Sequence, residues 1–335
     1  QPYEGNNVLE DLLNYVYNGE NCHLIFIGDP GQLPPVGQED SIALHPQKLA
    51  EAYSSIEIWH SHLSQVVRVD SSSSILTTAT FLRNKKAYDL PLFPPITDGK
   101  TSNVRRIHGG EFQDYLEQSM AQVGADETIL LTLANKRANQ WNLEIRNRLF
   151  YREEVLEKGD LLMVVKNNYF WLKDSDEAGF IANGDIIEVL EIFGIQELYS
   201  FKFAKVKIRM VDYPNQKPLE TVLLLDTIKS ESPSLTYEES NSLYQEVLKD
   251  YEGETKYKQF QKVKNNEYFN ALQVKFSYAI TCHKSQGGQW NTVFIEQPYL
   301  PDGINSDYIR WLYTAMTRAK NKLYLIGFKD ENFVD

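Results

Sequence analysis

Four apolar residues, Leu24-Ile25-Phe26-Ile27, stop abruptly at Gly28-Asp29, and a loop stiffened by Pro34-Pro35 then carries Gln32. A short apolar run closed by Gly-Asp predicts a buried strand of a parallel sheet. Loops at the carboxyl ends of such strands are where open α/β sheets hold their ligands. An Asp and a Gln braced on such a loop can hydrogen-bond a phosphate, an attacking water or the shell of a magnesium ion. Taken alone, the same residues also describe an ordinary Pro-rich turn, so the weight falls on what accompanies them.

The rest of the chain supplies further strand and helix units. Val8 to Tyr17 has apolar residues at helical spacing and ends at Asn18-Gly19. Ile75 to Arg83 reads as a helix behind a serine-rich loop. Thr128 to Thr132 reads as a strand feeding a helix from Asn135 to Arg148. From Gly159 to about Met210 the texture turns to short strands separated by Asn167-Asn168-Tyr169 and Asn183-Gly184-Asp185, with further strands at 205–210 and 221–225. This predicts a small β-barrel inserted into the α/β unit. A polar helical tract covers 236–264. The α/β texture then returns with strands at 292–296 and 322–327 around a helix carrying Arg310 to Lys320.

With 335 residues, two or three domains are expected, and 42% hydrophobic content suffices for their cores. No apolar run approaches a membrane span, and two cysteines, Cys22 and Cys282, suit a reducing cytoplasm and no metal cluster. The net charge of −12 is unevenly spread. Residues 1–60 hold nine acids against one base and 151–269 hold twenty-two against fifteen, whereas 61–150 and 270–335 are slightly basic. Net charge therefore does not exclude a nucleic-acid partner.

Three further stretches go with the opening loop. Thr281-Cys282-His283-Lys284-Ser285-Gln286-Gly287 and Tyr313-Thr314-Ala315-Met316-Thr317-Arg318-Ala319 resemble motifs V and VI of superfamily 1 helicases. Gly28-Asp29-Pro30-Gly31-Gln32-Leu33-Pro34-Pro35-Val36 resembles motif III, and Leu63 to Arg68 resembles motif IV. The Pro-Pro form of motif III is similar to that of the RecD-like, superfamily 1B enzymes, which move 5′ to 3′ on single-stranded DNA. The resemblance implies an α/β fold: a RecA-like, P-loop-NTPase-type parallel sheet with an inserted SH3-like β-barrel. Its implied layout is a remnant of the first motor domain over 1–60, the second motor domain over 61–158 and 270–335, and an insert with a helical excursion over 159–269.

The same resemblance assigns roles. Arg318 and Arg68 contact the γ-phosphate of ATP, since a guanidinium matches phosphate geometry and keeps its charge. Gln32 senses that phosphate, with Gly28, Asp29, Gly287 and Gln289 around the nucleotide; Gln289 stands where many relatives carry a ribose-binding Glu. Thr281, His283 and Lys284 hold the DNA backbone, and Asn135 and Tyr169 line its channel. Tyr169 and Trp171 can stack on bases, but aromatics buried in the barrel are the favoured reading of both, by about two to one.

No Gly-x-x-x-x-Gly-Lys-Ser/Thr loop occurs, and Asp176-Glu177 does not follow an aliphatic strand as a Walker B pair would. The expectation is therefore a carboxy-terminal helicase piece beginning between motifs II and III. Such a piece is inactive as an ATPase alone and works with ATP, Mg2+, single-stranded DNA and the first motor domain of the same cytoplasmic, monomeric protein. The alternatives are a non-enzymatic nucleic-acid-binding or scaffold module, and the motor part of a relaxase or nuclease fusion.

Overall fold

The computed structural model describes residues 8–35, 37–38, 40–63, 73–85, 90–95, 102–172 and 178–334. Three helices come first, α1 (Val8–Tyr17), α2 (Pro46–Ala52) and α3 (Ser74–Arg83). Strand β1 (Val104–Ile107), helix α4 (Phe112–Val123), strand β2 (Thr128–Thr132) and helix α5 (Asn135–Leu149) follow. The middle of the chain holds β3 (Leu161–Val164), β4 (Ile186–Leu198), β5 (Phe201–Met210) and β6 (Leu219–Leu224). It continues with α6 (Asp226–Lys229), α7 (Tyr237–Lys249), α8 (Lys256–Lys264) and β7 (Leu272–Phe276). The last elements are β8 (Ala279–Thr281), β9 (Trp290–Glu296), α9 (Ser306–Met316) and β10 (Ala319–Ile326).

Five strands form an all-parallel sheet in the order β1-β10-β9-β2-β8. Every residue of β2 is buried, as a strand covered on both faces requires. Alternation along the strands divides the core: Leu130, Phe294 and Tyr324 pack with α4 and α5, while Ile129, Leu131, Val293 and Leu323 pack with α3 and α9. Eight residues of α9 are buried, so this helix is wrapped by the protein and its backbone position is fixed.

Strands β3 to β7 close into a barrel, antiparallel except for the β6–β7 pair. The expected α/β class with a parallel sheet and a small closed barrel is what the chain forms. The long β4–β5 hairpin turns at Tyr199-Ser200, both left-handed (φ 53° and 65°), the geometry that matches the twist of a two-residue hairpin. The helical tract is two helices, α7 with a Thr236/Glu239 capping box and α8, packed on Phe201, Phe203, Val222 and Leu224 of the barrel.

The strand expected at Leu24–Ile27 does not form. No strand pairs with it among the described residues, and Ile25 and Ile27 are 80% and 90% exposed. An apolar run becomes a strand only when neighbouring strands accept its backbone hydrogen bonds, and the sheet here is completed without it. No described helix is long and apolar enough to cross a membrane.

Candidate functional site

The 28–35 loop, although its strand is absent, is held firmly by the far end of the chain. Asp29 accepts the Gly31 N–H (3.0 Å) through one oxygen and the Tyr313 hydroxyl (3.1 Å) through the other. The Arg83 guanidinium, at the end of α3, spans both carboxylate oxygens (3.1 and 3.4 Å) and also donates to the Tyr313 hydroxyl (3.0 Å). Burial, with the negative charge of Asp29, raises the Tyr313 pKa, so the phenol stays neutral and donates. Gly31 makes this a close approach: an added Cβ would sit 3.3 Å from both Asp29 and the Tyr313 ring, so one of them would have to shift by a few tenths of an ångström.

Two more bonds fasten the loop. The Leu33 N–H donates to Thr314 Oγ1 (2.9 Å), and Gln286 Nε2 donates to the Leu33 carbonyl (3.2 Å). Thr314 then links onward, because its carbonyl accepts Arg318 Nε (3.0 Å) one turn later. Arg318 also donates to the Gly288 carbonyl (3.3 Å) and to Thr317 Oγ1 (3.0 Å). Its guanidinium is 3% exposed and faces inward. The Gln32 loop, the 286–288 turn and the Thr314–Arg318 turn thus form one hydrogen-bonded unit centred on Thr314. The Gln32 N–H closes the loop on the Asp29 carbonyl (3.0 Å), and the half-buried Gln32 carboxamide has no hydrogen-bond partner among the described residues.

Thr314 is fully buried, so Thr314→Val keeps the volume and removes two bonds, the Leu33 N–H to Oγ1 and Oγ1 to the Arg310 carbonyl (2.7 Å), of which only the first ties down the loop. The expected loss is about 1 kcal/mol, locally about fivefold faster hydrogen exchange at the Leu33 amide. Unchanged exchange at Leu33 would show that the loop does not depend on α9.

The other expected residues divide into separate places. Gly28 is packed against Leu44, Gly287 adopts φ +86° in the turn after the short helix Cys282–Ser285, and Gln289 is half-buried beside it. Arg68 lies outside the described residues. Thr281 ends β8 and is buried, while His283 on the next turn is exposed.

Lys284 and Asn135 meet a different neighbour, the main chain between α6 and α7. Lys284 donates to the Pro233 carbonyl (3.4 Å) and Asn135 to the Glu231 carbonyl (3.1 Å). Asn139 and the buried Lys275 bind carbonyls at the end of α6 and just after it, Lys229 and Ser230 for Asn139, Thr227 and Ser230 for Lys275. Burial lowers the Lys284 pKa to about 8, helped by the like charge of Lys275, itself lowered by burial to about 8. Tyr169 stands apart on the barrel, 63% exposed and stacked on Phe180.

Arg83, Tyr313, Thr314 and Gln286 were not singled out from sequence. Thr314 and Tyr313 fall inside the stretch containing Arg318, but nothing in their spacing pairs them with Asp29 and Leu33. The described residues do not fit a magnesium site: Asp29 is committed to Arg83 and Tyr313, and no group of three His, Cys, Asp or Glu able to hold a metal occurs among them.

Residues 276–326, which run from the end of β7 through β10, match the UvrD-like helicase C-terminal domain. An uncharacterized protein of Acanthamoeba polyphaga mimivirus is 24% identical over 93% of this chain and 70% of its own length. An uncharacterized protein of Methanocaldococcus jannaschii is 39% identical over 20% of this chain and 6% of its own. Among solved structures, the Pif1 helicase from Bacteroides in complex with ADP-AlF3 and ssDNA is similar with a TM-score of 0.43 and 14% identity, over 92% of this chain and 63% of that one. The Pif1 helicase from Candida albicans gives 0.38 and 14%, over 90% and 64%. The chain thus spans a little under two thirds of these Pif1 chains. The residues Gln286, Thr314 and Arg318 all lie inside the segment, 276–326, that is similar to the UvrD-like helicase C-terminal domain.

Proposed function

We propose that the chain supplies the second motor domain of an ATP-dependent, 5′-to-3′ DNA helicase of superfamily 1B, with a barrel insert. The observation that carries this reading is the convergence on Thr314: three stretches that resemble helicase motifs, far apart in sequence, share one hydrogen-bonded unit. In this reading residues 1–60 belong to the first motor domain, 61–158 and the chain after β7 form the second, and the insert expected over 159–269 runs on through β7, which closes its barrel. Gln32, Arg68 and Arg318 are assigned to the γ-phosphate in this reading, Arg318 reaching it by exchanging its bonds to Gly288 and Thr317 for the phosphate. Gly28, Asp29, Gly287 and Gln289 shape the nucleotide side. A charge change at the phosphate then reaches the DNA side through Thr314 and the 281–286 turn. The Pro34-Pro35 form of the loop supports the 5′-to-3′ direction.

Thr281, His283, Lys284 and Asn135 grip the single strand in this account, with Tyr169 on the barrel. Gripping a phosphate backbone needs charge, and Lys284 titrates near 8. The sign is definite. A bound phosphate favours the protonated amine, so affinity for single-stranded DNA falls several-fold as pH rises from 7 to 9. His283 contributes nothing to that window, since desolvation holds its pKa below the usual value and it is already neutral. Fluorescence anisotropy with a labelled oligothymidylate tests this. Lys284→Arg should bind with little pH dependence over the same range. A wild-type chain whose affinity is flat between pH 7 and 9, or which binds no single strand, contradicts the assignment.

A further inference from the structure

Between the barrel loop at 166–170 and helices α7 and α8 lies a groove of about 330 Å3. We propose that it is a second contact for a single-stranded nucleic acid, taking one nucleotide with its base on Tyr169 and its phosphates between Lys166 and Lys264. The proposal rests on the reading of this chain as a helicase domain, and it adds to the Tyr169 contact named there a groove, walled by the barrel loop and by α7 and α8, that holds the base and its phosphates.

Positive charge alone lines the groove. Lys166 and Lys264, the two lysines that line the groove, are exposed and join no ion pair among the described residues. No carboxylate lines the groove, in a chain with 46 acids against 34 bases. A polyanion is the ligand that such a local reversal of charge fits.

The aromatic is placed for stacking. Tyr169 is 63% exposed, and one face is backed by Phe180 with ring centroids 4.9 Å apart and planes within 27°. Its loop is fixed before any ligand arrives. Asn168 accepts the Phe170 N–H (3.0 Å) and donates to the Asn270 carbonyl (2.8 Å), while Asn167 accepts the Asn183 N–H (2.7 Å) and donates to the Tyr169 hydroxyl (3.3 Å). A preformed aromatic platform loses little freedom on binding, and bases stack on it whatever their identity.

The test uses the chain with three labelled strands, oligothymidylate, oligouridylate and an abasic strand of equal length, read by anisotropy. Tyr169→Ala should weaken the oligothymidylate, the oligouridylate or both about tenfold and leave the abasic strand unchanged, and Tyr169→Phe should restore binding. Which of the two base-bearing strands loses affinity identifies DNA or RNA as the strand held. The double variant Lys166→Glu, Lys264→Glu should weaken all three and flatten the salt dependence. Two outcomes overturn the proposal: equal base-bearing and abasic losses for Tyr169→Ala, or polyglutamate displacing the strand as well as an oligonucleotide does. If Lys284→Ala weakens binding and the groove variants do not, the groove fails while the helicase reading stands. If the wild-type chain binds none of the strands, both fall.

Discussion

Asp160→Asn is expected to lower the unfolding free energy by about 3–5 kcal/mol, the cost typical of breaking a buried ion pair from one side. Asp160 is wholly buried where α5 meets β3 and β7. Its carboxylate accepts Arg146 Nε and Nη2 (3.0 and 2.9 Å), Arg152 Nη1 (3.0 Å), the Glu157 N–H (2.8 Å) and the Tyr278 hydroxyl (3.3 Å). Arg146 is itself buried, its guanidinium lying over the Phe276 ring at 4.2 Å. Without the carboxylate, that cation has no solvent to turn to. Because the network ties a helix of the parallel sheet to two barrel strands, the loss should appear in one cooperative transition. Urea unfolding followed by both tryptophan fluorescence and circular dichroism checks this. A loss below about 1 kcal/mol, or a barrel that melts separately, would show that the network does not couple the two units. Replacing the pair together, with Arg146→Met and Asp160→Leu, should cost much less than Asp160→Asn alone.

The second large effect belongs to Arg318. In the full-length protein, Arg318→Ala should lower kcat for DNA-stimulated ATP hydrolysis by about 10³–10⁵-fold, the range for losing a cationic contact to a transferring phosphoryl group. Arg318→Lys should recover little, because a single ammonium cannot reproduce the planar fork that reaches Thr314, Gly288 and Thr317 at once. The inward guanidinium also makes a structural prediction: Arg318→Ala leaves the Thr314 and Gly288 carbonyls without this donor and costs about 1–3 kcal/mol of stability. The two effects separate kinetically. A contact made only in the transition state lowers kcat and kcat/KM together, whereas an indirect effect through a loosened loop raises KM for ATP. A variant that is destabilised yet turns over at the wild-type rate would remove Arg318 from the chemistry.

Most of the fold was legible because its strands are continuous apolar runs set between helices with the matching period. The helices α1 and α5 and the strands β2, β9 and β10 lie within a few residues of where the sequence placed them. What escaped were strands whose polar residues are satisfied by distant partners. In β1, two arginines interrupt the run: Arg105 lies over the Tyr115 ring and Arg106 over Phe333, paired with Asp330, none of them near in sequence. In β7, Gln273 accepts the Leu235 N–H (2.9 Å) and Lys275 is held by carbonyls within and just after α6, so a strand with two polar residues is nonetheless buried. Leu24–Ile27 failed the other way, since apolar character alone does not provide the neighbouring strands that make a strand. The site was half legible. The stretches around Gln32, Gln286 and Arg318 could be named from their residue order, but their meeting on Thr314, and the hold of Arg83 on Asp29, exist only in three dimensions.

The central claim is that this chain is part of a motor that moves 5′ to 3′ along a single strand. Strand displacement by the full-length protein, with ATP, on duplexes bearing either a 5′ or a 3′ single-stranded tail tests it most directly. The 5′-tailed duplex is expected to unwind, Arg318→Ala to abolish that unwinding, and the 3′-tailed duplex to stay intact. Unwinding confined to the 3′-tailed duplex would contradict the direction assigned from Pro34-Pro35, and unwinding of neither would contradict the motor itself.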